Sequence, residues 1–354
     1  MRRPIERRLK SSKTIRPADT TTAYSFNMNA LHKALLVIIA CLFFPLMENV
    51  SHAETKQPIV DDAALAEQFV AGLAALVENA PSKTERTLEA GNALRLLAQT
   101  EGTTIRLPNR QHTAIGITEE PLYQRVMPAI VVIGSIYKCD SCSDWHLGGM
   151  ASGWLLSDDG LVVTNHHVFT ENANHYFGVM TSNGNVFAIR SILASDRDGD
   201  AAIAQLDTRG VGLPFLRLGR PAACGDAVVV ISHPAGRFYS LTRGVVSRYH
   251  RHDADPATMA KSGGNSRSPR NRNSDEASRV TPAPVWMSVT ADYAVGSSGG
   301  PVFDSSGDVV GMVSRTYSTQ ASQKHRRHDS FGNQMVFKDC VSLDTILGLI
   351  EDVD

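Results

Sequence analysis

The chain has 354 residues, with 35 Lys/Arg against 36 Asp/Glu, a formal net charge of -1 and 42% hydrophobic residues. That length and apolar content suffice for one or two packed domains, and the balanced charge excludes a strongly polycationic nucleic-acid binder. The balance is uneven, however: residues 1–53 hold eight basic and three acidic side chains, and without them 27 basic residues face 33 acidic ones, a charge near -6.

In chain order, the first expected feature is an export signal. Residues 34–47 (ALLVIIACLFFPLM) form an apolar run, shorter than the roughly 20 residues that cross a membrane as a helix. A basic stretch and Lys33 precede it, and the small residues Ser51 and Ala53 follow at the spacing a signal peptidase reads. Residues 1–53 therefore read as a signal peptide. Met28 is an alternative start, because MNALHK already supplies a charged leader. Cleaved, the chain is periplasmic or secreted; uncleaved, the run is a membrane anchor.

Residues 54–118 read as a helical N-terminal extension, packed on the main domain or serving as a spacer. Ala64, Phe69, Leu73 and Leu76 recur at helical spacing, as do Leu88, Leu94 and Leu97 after a break at Pro81-Ser82. Residues 119–354 change character. Short β-rich runs at 129–133, 153–156, 161–164, 227–231, 285–289 and 309–313 are punctuated by Asp159-Gly160, Asn183-Gly184 and Ser306-Gly307. Many short strands with turn signals predict an all-β barrel or sandwich, closed by a terminal helix over 342–351. Two stretches, at about 250–284 and 315–334, read as mobile surface loops. Their Ser/Asn/Arg/Pro composition and the run Lys324-His325-Arg326-Arg327-His328 fit solvated loops better than a nucleic-acid patch.

The sharpest chemical signal is Gly296-Ser297-Ser298-Gly299-Gly300-Pro301. A serine on a glycine-rich turn presents its hydroxyl, and the turn can aim its own N–H and that of the residue two before it at one point. Acyl transfer needs both: a reachable nucleophile, and donors where charge develops on the carbonyl oxygen. The nucleophile needs a base, and Thr164-Asn165-His166-His167-Val168 supplies one directly after an apolar run. A carboxylate must orient the imidazole. Of Asp196, Asp198 and Asp200, the last borders the run Ala201-Ala202-Ile203-Ala204 and would sit at a strand edge facing the core.

Taken together, these strings resemble the trypsin-like fold, and most closely bacterial HtrA-type (Deg-type) serine proteases. The order His…Asp…Ser matches, as does the stretch from Ala151-Ser152-Gly153-Trp154 to Asp159-Gly160-Leu161. Cys224-Gly225-Asp226, Ile231-Ser232-His233-Pro234-Ala235-Gly236 and Gly244-Val245-Val246-Ser247 resemble the opening of that family's second barrel. The resemblance covers roughly 122–350. It implies a site between two six-stranded β-barrels with His167 as base, Asp200 as its orienting carboxylate, Ser298 as nucleophile, and Gly296 and Ser298 N–H as oxyanion donors. It also implies peptide or unfolded-protein substrates and no cofactor or metal in the site. The chain ends about 55 residues after Ser298, so the family's PDZ domains are expected to be missing. Ser297 replaces the aspartate with which digestive trypsin-like enzymes receive a freed N-terminus. The alternative function is a catalytically silent trypsin-fold module that binds peptides or partners.

Specificity and the cysteines complete the expectations. Asp292, six residues before Ser298, stands at the spacing of a pocket-floor aspartate for a basic P1 side chain, although HtrA-type proteins carry a nearby aspartate without that preference. Ser314 resembles the strand residue that lines the pocket and supports the buried aspartate. Cys139, Cys142, Cys224 and Cys340 permit two disulfides in an exported chain. Cys139-Asp140-Ser141-Cys142 with His146 reads first as a local disulfide; a metal site or redox pair are alternatives. Two cysteines and one histidine leave a tetrahedral zinc one ligand short.

Overall fold

A computed structural model gives the structure of residues 59–82, 87–107, 121–139, 141–170, 175–251, 283–320 and 333–351. The expected signal peptide over 1–53 and most of the 250–284 stretch lie outside these residues.

Asp61 opens the first helix, α1 (Asp62–Glu78), by accepting the Ala64 N–H on its side chain at 3.0 Å. A second helix, α2 (Ala90–Gln99), and a short third, α3 (Leu122–Val126), lead to the strands. Six strands form the first closed barrel: β1 (Ile130–Lys138), β2 (Trp145–Leu155), β3 (Leu161–Thr164), β4 (Tyr176–Thr181), β5 (Val186–Asp196) and β6 (Ala201–Leu206), joined in the order β1-β2-β3-β6-β5-β4. Six more form the second: β7 (Ala227–Ser232), β8 (Ser240–Arg251), β9 (Val285–Val289), β10 (Pro301–Phe303), β11 (Val309–Gln320) and β12 (Asn333–Ser342), in the order β10-β11-β12-β9-β8-β7. All pairings are antiparallel. A final helix, α4 (Leu343–Leu347), follows. The expected all-β double barrel with small N-terminal helices is what forms. Among the described residues no helix is long and apolar enough to cross a membrane.

Burial explains why β1 opens on the apolar run Ile130-Val131-Val132-Ile133 rather than on an alternating pattern. Val131 and Ile133 join an apolar cluster drawn from all six strands of the first barrel, which is its interior. Ile130, Val132 and Ile136 point the other way, into a second cluster with Phe69 and Leu73 of α1 and Phe303 and Met312 of the second barrel. A strand covered on both faces has no reason to alternate. The same cluster answers where α1 belongs. Cβ atoms at Gly134 and Gly178 would lie 2.9 and 2.6 Å from Phe69 and Leu73, so two side chains of the helix fill gaps that glycine leaves in the barrel wall.

Two boundaries differ from expectation: the terminal helix expected over 342–351 runs only over Leu343–Leu347, and the 315–334 loop is shorter than its composition suggests. β11 runs to Gln320, six residues into the stretch read as loop, and β12 begins at Asn333. Thr316 and Tyr317 pair with Lys338 and Phe337; the cross-strand partners and the β-branched and aromatic residues outweigh the polar composition.

Candidate active site

β3 and β6 are antiparallel neighbours, with Thr164 opposite Ala202. The residues just after β3 and just before β6 therefore emerge side by side. Those are the one-turn 3-10 helix His166–Phe169 and Asp200. The His167 ring faces Asp200, with Nδ1 at 3.0 and 2.9 Å from the two carboxylate oxygens, and the His167 N–H donates to Oδ1 at 3.1 Å. His166 lies to one side, half-buried, its pKa lowered chiefly by burial. Asp200 adopts a left-handed backbone conformation, φ 55°, a region that aspartate tolerates better than most residues. The Asn165 amide holds this turn by donating to the Asp200 carbonyl at 2.9 Å.

The second barrel supplies the rest. Ser298 precedes β10 and Ser314 lies in β11, where the pairing with β12 slips between Val313 and Arg315. A bulge of this kind re-aims a side chain. Ser314, 6% exposed, donates its hydroxyl to Asp200 Oδ2 at 2.5 Å, and its carbonyl accepts the Ser298 hydroxyl at 3.2 Å. Among the hydrogen bonds of the described residues, Ser298 Oγ is thus engaged by Ser314 rather than by His167. Ser298 and His167 nevertheless share the lining of one cavity of about 230 Å³, with Ile133, Met150, Val168 and Phe177 as its apolar wall.

The turn before Ser298 has its carbonyls tied back. Val295 C=O accepts from Ala235 N–H at 2.7 Å and Ser297 C=O from Gly300 N–H at 2.9 Å. In a trans peptide the N–H points opposite to its carbonyl. Gly296 N–H and Ser298 N–H are therefore directed away from these bonds, and neither has a partner among the described residues. Gly296 (φ 94°) and Gly299 (φ 84°) both require glycine: a Cβ would lie 2.5 Å from the His233 carbonyl in one case and 2.1 Å from the Ser152 carbonyl in the other.

Two further residues, Ser152 and His233, lie within the strings that carry the resemblance, but those strings assign them no role. Ser152, buried in β2, donates its N–H to the Ser298 carbonyl at 2.7 Å and its hydroxyl to the Gly296 carbonyl at 2.9 Å, while accepting the His233 N–H at 3.1 Å. His233 is fully buried. Its Nδ1 accepts from Tyr239 N–H at 3.0 Å, which leaves Nε2 to donate to the Val131 carbonyl of β1 at 3.1 Å. Burial pushes its pKa down to about 4, so the ring is a neutral strut between the barrels. A buried serine in an apolar strand is the signal that would have found Ser152.

Two expectations are corrected. Asp292 is not a buried pocket floor: its side chain is 84% exposed and pairs with Lys338, and no carboxylate lines the cavity at Ser298. Spacing along the chain does not fix the direction of a loop side chain, and Lys338 on β12 draws this one outward. The described cysteines form no disulfide: Cys139, Cys142, Cys224 and Cys340 are free thiols. Cys139 and Cys142 sulfurs stand 2.9 Å apart, beyond the roughly 2.05 Å of a bond, and Cys340 is sealed in the second-barrel interior.

Residues 151–312, which contain the His167–Asp200 pair, the Ser298 turn and the start of β11, match the family model described as a trypsin-like peptidase domain. That stretch is similar to a trypsin-like peptidase domain. Similar proteins include the serine protease HTRA1 of Xenopus laevis, 31% identical over 163 residues, covering 46% of this chain and 30% of that protein. The chloroplastic protease Do-like 5 of Arabidopsis thaliana is 28% identical over 219 residues, 57% of this chain and 61% of its own length. A probable periplasmic serine endoprotease, DegP-like, of Hahella chejuensis is 27% identical over 230 residues, 56% and 42% respectively. The chain thus spans 30% to 61% of the length of these relatives.

Proposed function

We propose that the chain is an exported serine endopeptidase working through an acyl-enzyme, with His167, Asp200 and Ser298 as its reacting line. The observation that carries this reading is the His167 ring held through Nδ1 by Asp200, at the rim of the cavity that Ser298 also lines. On this reading the Ser298 hydroxyl leaves the Ser314 carbonyl and turns to His167 Nε2, with which it shares the cavity, as substrate binds; catalytic hydrogen bonds often tighten only then. Oγ then attacks the scissile carbonyl carbon and its proton passes to Nε2. Asp200 keeps the Nδ1–H tautomer that leaves Nε2 basic, and it faces the imidazolium that forms. The oxyanion receives the N–H groups of Gly296 and Ser298. Collapse breaks the C–N bond, and the Nε2 proton leaves with the amine. Water, deprotonated by the same nitrogen, then hydrolyses the ester and returns the proton to Oγ.

The substrates are peptides or unfolded proteins, in keeping with relatives named as proteases. With Asp292 directed outward, nothing lining the cavity favours a basic P1 side chain. Export rests on the signal-like 1–53 segment and on relatives named as periplasmic. One observation favours the rival reading of a silent binding module: the Ser298 hydroxyl rests on a carbonyl, not on the base. A fluorophosphonate probe decides between them. It should label wild-type protein at Ser298, and Ser298→Ala should abolish both labelling and cleavage of unfolded casein. Folded wild-type protein that neither labels nor cleaves would sink the peptidase reading.

A further inference from the structure

The peptidase chemistry leaves one cluster of reactive side chains unused, at the tip of the β1–β2 hairpin. Cys139 follows the last residue of β1, Cys142 lies in the connecting loop, and His146 is the second residue of β2. Cys142 Sγ lies 2.9 Å from Cys139 Sγ and 2.9 Å from His146 Nε2, and all three donor atoms fall within 4.8 Å of one another. We propose that Cys139, Cys142 and His146 form a binding site for a single thiophilic divalent ion of the zinc class.

The donor set selects the ion. Two thiolates and an imidazole suit zinc-class metals and not the oxygen-seeking calcium or magnesium. Two thiolates also neutralise a divalent charge. Ion–sulfur bonds of about 2.3 Å at tetrahedral angles place the sulfurs about 3.8 Å apart, so the pair need open by only about 0.9 Å. Cys142 is exposed and Cys139 half-buried on a short loop, where side chains turn at little cost. Three protein ligands leave a fourth position for water, the arrangement of open zinc sites.

The surroundings are already ordered for this. His146 pairs across the hairpin with Tyr137, whose ring lies 5.5 Å away, and Tyr137 stacks on His175 at 4.8 Å. The imidazole is therefore oriented by neighbours before any ion arrives. Lys138 Nζ and Trp145 Nε1, at the two ends of the loop, both reach Glu78 Oε1 of α1, at 3.3 and 2.7 Å. The loop base is pinned, and an ion would close its tip. A disulfide would use the same sulfurs yet give the imidazole nothing to do. The site is independent of whether Ser298 is a nucleophile.

The test is a titration of full-length protein, reduced and stripped with chelator under anaerobic conditions, with Co2+. One equivalent should produce thiolate-to-cobalt charge transfer and tetrahedral d–d bands, displaced by Zn2+ and unaffected by excess Ca2+ or Mg2+. Cys142→Ser should abolish the spectrum, His146→Ala should weaken binding at least tenfold, and Cys224→Ser should change nothing. Should a variant fail to fold, X-ray absorption on the wild-type zinc form gives the same answer: two sulfurs and a nitrogen support the site, an all-oxygen shell overturns it. A cobalt spectrum that survives Cys142→Ser also overturns it. So does freshly isolated protein whose denatured thiol count is two below its reduced form, with the deficit gone in Cys142→Ser.

Discussion

Asp200 is where the site is most easily broken without breaking the fold. Its carboxylate takes three donors, His167 N–H, His167 Nδ1–H and the Ser314 hydroxyl, and all three point at a group that only accepts. Asp200→Asn keeps the shape but can present an NH2 toward Nδ1, which drives the proton to Nε2 and removes the base. The expected result is a fall in kcat of about 10³–10⁴ with KM little changed and the protein still folded, read by steady-state kinetics on a peptide substrate. Ser314→Ala takes away one donor of three. The imidazole contact survives, and kcat is expected to fall by only about tenfold, the scale of one hydrogen bond to a charged group. Equal losses in the two variants would mean that Asp200 does not act through His167.

At the scale of elements, α1 is part of the first barrel's packing rather than a tether. Phe69 and Leu73 are fully buried and occupy the space over Gly134 and Gly178. Phe69→Ala should therefore cost about 3–5 kcal/mol, the range for emptying a buried aromatic site, measured by urea unfolding. A loss below about 1 kcal/mol would show the helix to be dispensable. The helical period of Phe69 and Leu73 was legible in the sequence; the glycines that receive them, distant along the chain, were not. The same division runs through the site. Thr164–Val168, Asp200-Ala201 and the Gly296–Pro301 turn are local strings, each beside a strand, and the antiparallel neighbours β3 and β6 bring the first two together without further instruction. Ser314 was named only through the resemblance, as a residue that lines the pocket and supports the buried aspartate; it does not line the cavity at Ser298 and instead donates to Asp200. Asp292 was misjudged because spacing places a backbone and not a carboxylate, and its partner Lys338 lies on another strand. The roles of Ser152 and His233 escaped because they exist only across the barrel interface.

That interface decides how the whole molecule responds to acid. His233 sits on the second barrel, donates to the Val131 carbonyl of the first and, with Ser152, backs the Gly296–Ser298 turn. Its Nδ1 already accepts from Tyr239 N–H, so a second ring proton has nowhere to go. The folded pKa of about 4 lies below the roughly 6.5 of an unfolded histidine. Above pH 6.5 neither state is protonated and stability is unaffected. As pH falls through 6.5 the unfolded chain takes the proton and the folded one does not, so stability declines down to about pH 4, by about 3 kcal/mol in total. His166, whose pKa burial also lowers, adds to this decline, while Asp196, whose pKa burial raises, opposes it; both persist in a His233 variant and cancel in the comparison. His233→Gln should be less stable at pH 7.5, because one amide cannot reproduce both ring contacts. Its unfolding free energy should nonetheless change less between pH 7.5 and 4.5, by about 2–3 kcal/mol, than that of the wild type. Parallel pH profiles for the two proteins, measured by urea unfolding, would show that His233 is not the acid-sensitive strut between the barrels.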